Sequence, residues 1–304
     1  MRIIFMGTPD FAVASLQALL EAGEDVVAVV TGEDKPAGRG QKMHESAVKK
    51  YAVEHHIPVL QPNKLRSTSF LEELASYEAD LQVVVAFRML PEAVWNMPPK
   101  GTINVHASLL PQYRGAAPIN HAIMNGERES GVTTFLLQQE IDTGNILFSK
   151  KVSIAETDNA GVLHDKLMVA GAEVLLETIQ ALKTNAVTPI PQTESEATPL
   201  KTAPKIFKED CEIDWNRTTE QVYNHIRGLS PYPTAFTKLN GKGLKVFEVE
   251  KAGKTNLSPG QYSSDGKTFV QYATADGSLR LNVLQLEGKK KMRVDEFLRG
   301  YRFE

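Results

Sequence analysis

Arg2-Ile3-Ile4-Phe5-Met6-Gly7-Thr8-Pro9-Asp10-Phe11 sets the reading of this 304-residue chain. Ile3–Met6 is apolar throughout and too short for a helix, so it reads as a buried strand that breaks at Gly7. Thr8-Pro9-Asp10 completes a turn, and the residues from 11 to 21 carry apolar positions at helical spacing. The alternation repeats downstream. Strands are predicted at 26–30, 57–60, 81–87 and 102–106, with helices at 46–55 and 69–77 between them. Two more strands, 132–137 and 146–151, flank the turn Asp142-Thr143-Gly144, and a long helix over 159–182 follows. Buried runs alternating with helices imply an α/β fold with a mainly parallel sheet covered on both faces.

The pattern fails between 185 and 207, where Pro189, Pro191, Pro199 and Pro204 stand among Thr, Ser and Glu. This stretch reads as an extended linker between a domain at 1–184 and a second at 208–304. In the second, short strands separated by Asn240-Gly241, Ser264-Asp265-Gly266 and Asp276-Gly277 follow one predicted helix and suggest a small β-barrel of OB-like type.

Composition narrows the class. An apolar fraction of 42% and a charged fraction of 23% suit a chain that builds a full core. Its longest apolar runs fall short of the ~18–20 residues needed to cross a bilayer, and the opening strand is too brief for a signal-peptide core. Cys211 is the single cysteine, so no intrachain disulfide can form, and a cytoplasmic setting is expected. The net charge of −3 conceals an uneven distribution. From Lys205 onward there are 17 Lys/Arg against 13 Asp/Glu, or +4, leaving −7 for the rest. Lys35, Arg39, Lys42, Lys49 and Lys50 cluster against Glu45 alone, and Lys289, Lys290, Lys291 and Arg293 cluster near the end. Local patches of this kind can hold a phosphate backbone, or can serve only as solvated surface.

Several chemistries find little support. Gly7 stands alone where a dinucleotide site wants three glycines, and Pro9 offers no backbone donor. Asp142-Thr143-Gly144 occurs once, whereas an aspartic protease needs two carboxylates sharing a proton. Ser108 lacks the glycine-flanked elbow of a serine hydrolase. The histidines and the cysteine show no metal-ligand spacing, so no metal is expected. What remains is Asn104-Val105-His106, two polar side chains on one face at the end of an apolar strand, the place where open α/β sheets hold ligands. The pair either serves chemistry, with Asp142 reaching back over the sheet edge as a third member, or merely holds the loop that follows.

The segments Asn104-x-His106 with Ser108-Leu109-Leu110-Pro111, Arg114-Gly115-Ala116-Ala117-Pro118-Ile119 and Asp142-Thr143-Gly144 resemble those of the folate-dependent formyltransferases. The opening Phe5–Ala12 segment, the loop Asp34-Lys35-Pro36-Ala37-Gly38-Arg39-Gly40, Thr202-Ala203-Pro204-Lys205 with Ile213-Asp214-Trp215, and Gly288-Lys289-Lys290-Lys291-Met292 resemble the members acting on methionyl-tRNA. The resemblance implies a Rossmann-like catalytic domain with 10-formyltetrahydrofolate as co-substrate and initiator methionyl-tRNA as partner, in a monomer. Under it Asn104, His106 and Asp142 are catalytic, and Ser108, Leu109, Leu110 and Pro111 form a folate loop. Phe87, Arg88, Met89 and Leu90 would offer backbone groups to the pterin, although a strand-to-helix turn started by Pro91 explains them equally well. Arg39, Lys35 and Lys42 would meet the tRNA acceptor end from a loop that orders on binding; Lys205, Lys208, Lys289, Lys290, Lys291 and Arg293 would grip phosphates. The family pattern is departed from at 136–140, where methionine is frequent. Formylation of a sugar nucleotide and tRNA binding without catalysis are the rival readings.

Overall fold

A computed structural model describes residues 1–37, 42–192 and 199–303. The first half contains β1 (Arg2–Gly7), α1 (Asp10–Glu21), β2 (Asp25–Val30), β3 (Lys35–Ala37), β4 (Lys42–His44), α2 (Ala47–Glu54), β5 (Val59–Leu60) and α3 (Thr68–Ser76). There follow β6 (Leu81–Val85), α4 (Glu92–Trp95), β7 (Thr102–His106), β8 (Arg114–Gly115), α5 (Pro118–Met124), β9 (Glu129–Leu136), β10 (Ile146–Ser153) and α6 (Ala160–Lys183). The rest comprises β11 (Thr202–Ala203), α7 (Thr219–Gly228), β12 (Ala235–Leu239), β13 (Lys242–Ala252), β14 (Tyr262–Ser264), β15 (Val270–Ala273), β16 (Ser278–Leu286), β17 (Met292–Arg293) and α8 (Val294–Gly300).

Seven strands form one sheet in the order β10-β9-β7-β6-β1-β2-β5. β1 pairs in parallel with β2 and β6, and β6 in parallel with β7, whereas β9 runs antiparallel to β7. The order reverses at β1: the chain first moves outward through β2 and β5, then returns to lay β6 on the other side. Such a switch point opens a crevice at the carboxyl ends of the strands. Gly7 lies at that edge opposite Val85. A Cβ there would stand 2.6 Å from the Cβ of Ala12 and 3.0 Å from the carbonyl oxygen of Val85. Its role is therefore the close approach of strand to helix. Ile4, Met6, Val30, Val84, Phe70 and Leu74 pack together on one face of the sheet. α6 covers another part, and Gly171 lets it approach, since a Cβ would meet Val105 at 3.3 Å. Val105 points away from Asn104 and His106, so the opposite face of β7 stays available.

The chain divides into two compact units that interleave along the sequence. One comprises residues 1–115, 130–152 and 164–201; the other comprises 116–129, 153–163 and 202–304. The linear borders expected from the sequence do not foresee this. The reason is local packing: Asn120 on α5 donates to the carbonyl of Gly228 at the end of α7, at 2.7 Å. Buried Arg227 likewise reaches the carbonyl of Asp158 at 2.8 Å. Both segments are thereby drawn to α7.

In the second unit six strands form a curled antiparallel half-barrel, β12-β13-β16-β15-β14 with β17 on β16. Asn240 and Gly241 both take positive φ, 49° and 76°, as a two-residue hairpin turn requires. The ring of Trp215 stacks on buried Tyr272 at 4.6 Å, over a core including Val222, Ile226, Val246 and Leu281. α7 starts with a reciprocal cap between Thr218 and Gln221.

His225 on α7 has a buried Nε2 with no hydrogen-bond partner among the described residues. Burial pushes its imidazole below the ordinary value, Arg217 adds to the effect, and backbone contacts at Cys211 and Glu212 oppose it. The unfolded chain then binds the proton more readily than the folded one, so the contribution is fully present above about pH 6.5 and is lost as pH falls below it. We expect the urea midpoint of this unit to drop between pH 7.5 and 5, with a shallower pH dependence in His225→Gln. Identical profiles would show that the ring is not the titrating group.

Candidate active site

β7 delivers Asn104 and His106 to the rim of the sheet. Asn104 pairs in register with Phe135 and His106 with Thr133 across β9. Phe135 is fully buried and stands edge-on to the imidazole at 6.4 Å between centroids. His106 is buried, and its Nε2 lies 3.0 Å from the carbonyl oxygen of Tyr113. A carbonyl only accepts, so Nε2 carries the hydrogen. The opposite nitrogen, Nδ1, faces Oδ2 of Asp142 at 3.9 Å, too far for a direct hydrogen bond and close enough for an ion pair or a bridging water. Asn104 is half-buried, and its side-chain amide makes no hydrogen bond with any described residue.

Asp142 reaches this place from the turn between β9 and β10. Its φ is 54°, in the left-handed region, and its carboxylate accepts the Gly115 N–H at 3.0 Å. Gly144 makes the return possible, because a Cβ there would overlap the carbonyl of Leu136. Gln192 closes the arrangement. Its Nε2 donates to the carbonyls of Asp142 and Gly144 at 2.9 and 2.8 Å, while its Oε1 accepts from Nε and Nη2 of Arg114 at 3.0 and 2.9 Å. The three polar residues singled out from the sequence are thus gathered at one edge. Gln192 was missed, since it stands in a Pro- and Thr-rich stretch without periodicity. Around it, Ile190 forms a two-bond bridge with Ile146, and Lys201 O accepts the Tyr113 N–H at 2.6 Å.

The loop 108–111 is bound from below. Ser108 is fully buried; its hydroxyl donates to Gln112 O at 2.6 Å, and its carbonyl accepts from Thr133 Oγ1 at 2.7 Å. Thr133 Oγ1 in turn accepts the Leu110 N–H at 3.2 Å. The loop crosses closely over β9, where a Cβ on Gly131 would collide with Leu109. Buried polar Thr133 and Thr134, set between apolar Val132 and Phe135, were the signal for this role. At the end of β6, Ala86 has φ 48° and stops the strand two residues short of the expected end. Beyond it Phe87 is half-buried, Met89 is 72% exposed and Leu90 is buried. Arg88 donates to the carbonyls of Asn63 and Pro62 while lying 5.7 Å from the Phe87 ring.

The basic residues differ among themselves. Arg39 lies outside the described residues. Exposed Lys35 sits on the β3–β4 ribbon, where Ala37 pairs with Lys42. Of the loop expected to order only on binding, residues 35–37 and 42–44 thus pair as a short ribbon, tied at its base by Thr31 to Ser46 at 2.7 Å and by Gln61 to Asp34 and Gly32 at 2.8 Å. Lys49 is taken up by Asp34 and Glu45 at 2.5 and 3.0 Å, and those bonds hold its ammonium above the ordinary lysine value. Lys205 lies over the exposed ring of Phe207 at 5.4 Å, and Lys208 and Lys289 are exposed. Lys290 pairs with Glu296 and Arg293 with Asp295, and Lys291 lies over Phe247 at 4.3 Å. Among the described residues, no three His, Cys, Asp or Glu side chains gather as a metal group, and no helix is long and apolar enough to cross a membrane.

A family model described as Formyl transferase matches residues 1–179, and one described as Formyl transferase, C-terminal domain, matches residues 205–302. The methionyl-tRNA formyltransferase of Bacteroides fragilis is 54% identical over 308 residues, spanning 99% of this chain and 95% of that protein. The protein of the same name from Flavobacterium johnsoniae is 46% identical, spanning 100% and 97%. Among solved structures, the sugar 3N-formyl transferase WlaRD superimposes with a TM-score of 0.69 at 21% identity, covering 95% of this chain and 99% of its own. HypX from Aquifex aeolicus gives 0.68 at 21% identity, over 100% of this chain and 49% of its own. At those identities the likeness is one of fold.

Thr133→Val removes the shared partner of two buried backbone groups, a loss of about 1–3 kcal/mol per unsatisfied group. We expect a lower urea midpoint together with faster amide exchange at Leu110. Wild-type protection there would mean that other contacts hold the loop.

Proposed function

The chain belongs to the formyl transferase family, and from that premise we propose that it moves the formyl group of 10-formyltetrahydrofolate onto the free α-amino group of methionine carried by initiator tRNA. The observation that carries this reading is the meeting of Asn104, His106 and Asp142 at the sheet rim, with a carboxylate 3.9 Å from the imidazole and an unengaged amide on the same strand face. An amine attacking a formyl carbon develops negative charge on oxygen and positive charge on nitrogen. The site offers a partner for each.

Asn104 has a free amide donor for the oxyanion, a service worth about 3–4 kcal/mol in comparable sites. In the neutral ring the one N–H of His106 is committed to Tyr113, which leaves the Nδ1 lone pair as a proton acceptor. A proton taken there creates an imidazolium facing the Asp142 carboxylate, so that charge forms next to its counter-ion. Collapse of the tetrahedral species breaks the bond between the formyl carbon and N10, and N10 leaves with a proton returned from the pair. No covalent enzyme intermediate is needed. Protons on so close a pair belong to the pair and not to either member.

In this reading Ser108, Leu109, Leu110 and Pro111 form one wall for the folate, with Phe87, Arg88, Met89 and Leu90 as the other at the switch point between β1 and β6. Exposed Met89 and the backbone after Ala86 are suited to a flat heterocycle. Lys35, Arg39 and Lys42 meet the acceptor end of tRNA, and Lys205, Lys208, Lys289, Lys290, Lys291 and Arg293 hold backbone phosphates, positioning without specifying. The ion pairs of Lys290 and Arg293 weaken their contribution, so Lys205, Lys208 and Lys289 rank first. We place the activity in the cytoplasm, in a monomer whose catalytic domain spans 1–184 and whose second domain spans 208–304.

Formylation of initiator methionyl-tRNA with 10-formyltetrahydrofolate is the direct test, with elongator methionyl-tRNA and a nucleotide-linked amino sugar as competing acceptors. Preference for the sugar sinks the proposal. Asn104→Ala is expected to lower kcat about 10²–10³-fold. Asp142→Asn keeps an oxygen for the Gly115 N–H but removes the charge, so kcat should fall with little change in either KM. Arg39→Ala should chiefly reduce kcat/KM for tRNA and steepen its decline with salt less than wild type; unchanged tRNA kinetics would remove Arg39 from the interface.

A further inference from the structure

We infer that Gln192, outside the catalytic trio, is the residue that positions Asp142 for proton transfer; the inference rests on the formyl-transfer reading of the same site. Its register is set by the bridge between Ile190 and Ile146, in which each residue's N–H bonds the other's carbonyl at 2.8 Å. Antiparallel pairing then brings Gln192, two residues on, opposite Gly144, two residues back. Gly144 has no side chain to interpose, and its carbonyl accepts from Gln192 Nε2 at 2.8 Å. The second hydrogen of the same amide goes to Asp142 O at 2.9 Å.

The two ends of this side chain hold two different walls of the site. Nε2 grips the turn that carries Asp142. Oε1 grips Arg114, bonded through both Nε and Nη2. Arg114 lies between Tyr113, whose carbonyl orients His106, and Gly115, whose N–H orients the Asp142 carboxylate. One amide therefore ties the 113–115 segment, which supports both the imidazole and the carboxylate, to the turn that carries Asp142. Only an amide can do this, because the site asks for two donors at one end and an acceptor at the other. Asp142 needs the support, since its positive φ is a conformation it does not hold by preference.

Glutamate at this position isolates the role. Gln192→Glu keeps the shape and the acceptor for Arg114, but presents a carboxylate oxygen to two carbonyl oxygens. Gln192→Ala removes both ends. In the full-length protein we expect both variants to lose about ten- to a hundredfold in kcat for methionyl-tRNA formylation. KM for tRNA and for folate should stay within about threefold, and the pH profile of kcat should move by about half a unit or more as the His106–Asp142 spacing changes. Amide exchange at Gly115 should rise in both variants, because its acceptor is no longer held. Gln192→Glu with wild-type kcat, pH profile and Gly115 protection overturns the proposal. So does a loss confined to KM for tRNA, which would make Gln192 a tRNA contact. Wild-type protein that fails to formylate methionyl-tRNA, with Gly115 exchange still raised in the variants, would defeat the functional reading and leave the clamp standing.

Discussion

The carboxylate of Asp142, held by the Gly115 N–H in a turn whose backbone it does not prefer, is the constraint around which the site is organised. A left-handed residue costs on the order of 1 kcal/mol, and the surrounding contacts must outweigh that cost. They do so in a chain of dependencies. Gly144 allows the turn to fold back onto the carbonyl of Leu136; Leu136 continues β9; and β9 places Phe135 against His106. Moving any one of these shifts the others, because each is fixed by backbone contact at close range. Asp142 is thus connected to His106 twice, once through space and once through the strand register.

The half of the molecule that builds this site was legible in the sequence wherever burial imposes a period. β1 and β6 lie between layers of other residues, so apolar runs announce them, and α1, α2 and α3 follow the expected spans to within a residue or two. Asn104 and His106 were legible for the opposite reason: two polar side chains at the end of an apolar strand demand an explanation. What escaped has no period. Gln192 acts through two donors and one acceptor, a property that any glutamine has and that only the bridge at Ile190 turns to use. The division of the Arg114–Ile119 segment between two compact units was equally hidden, since it depends on α5 bonding to α7 more than a hundred residues later. The ribbon of β3 and β4 went unseen because strands of three residues, Lys-Pro-Ala and Lys-Met-His, are too short to show an alternation.

Charge counting misleads in the same way. The excess of lysine and arginine near the end of the chain reads as one positive patch, yet Lys290 and Arg293 face Glu296 and Asp295, and Arg299 also pairs with Asp295. Lys49 is likewise spent on Asp34 and Glu45, where it fastens the base of the β3–β4 ribbon to α2. The exposed pairs near the end of the chain add little stability, but every one of these pairs damps the field that a phosphate would meet. The cations best suited to an anionic partner are those that the fold leaves without acids, and composition alone does not single them out.

Under the proposed formyl transfer, the gap of 3.9 Å between His106 and Asp142 would have a chemical use that a closer contact would forfeit. Were the two bonded directly, the ring would carry its hydrogen on Nδ1, and Nε2 would have to accept; but Nε2 faces the carbonyl of Tyr113, which cannot donate. The carbonyl therefore selects the tautomer that leaves Nδ1 bare, beside a negative charge that it does not yet touch. A proton arriving at Nδ1 would complete both a hydrogen-bond donor and an ion pair in one event, so in the proposed reaction the attraction would strengthen as the attacking amine loses its proton and not before. Stabilisation that grows along the reaction coordinate lowers the barrier, whereas the same contact made in advance would only deepen the starting state.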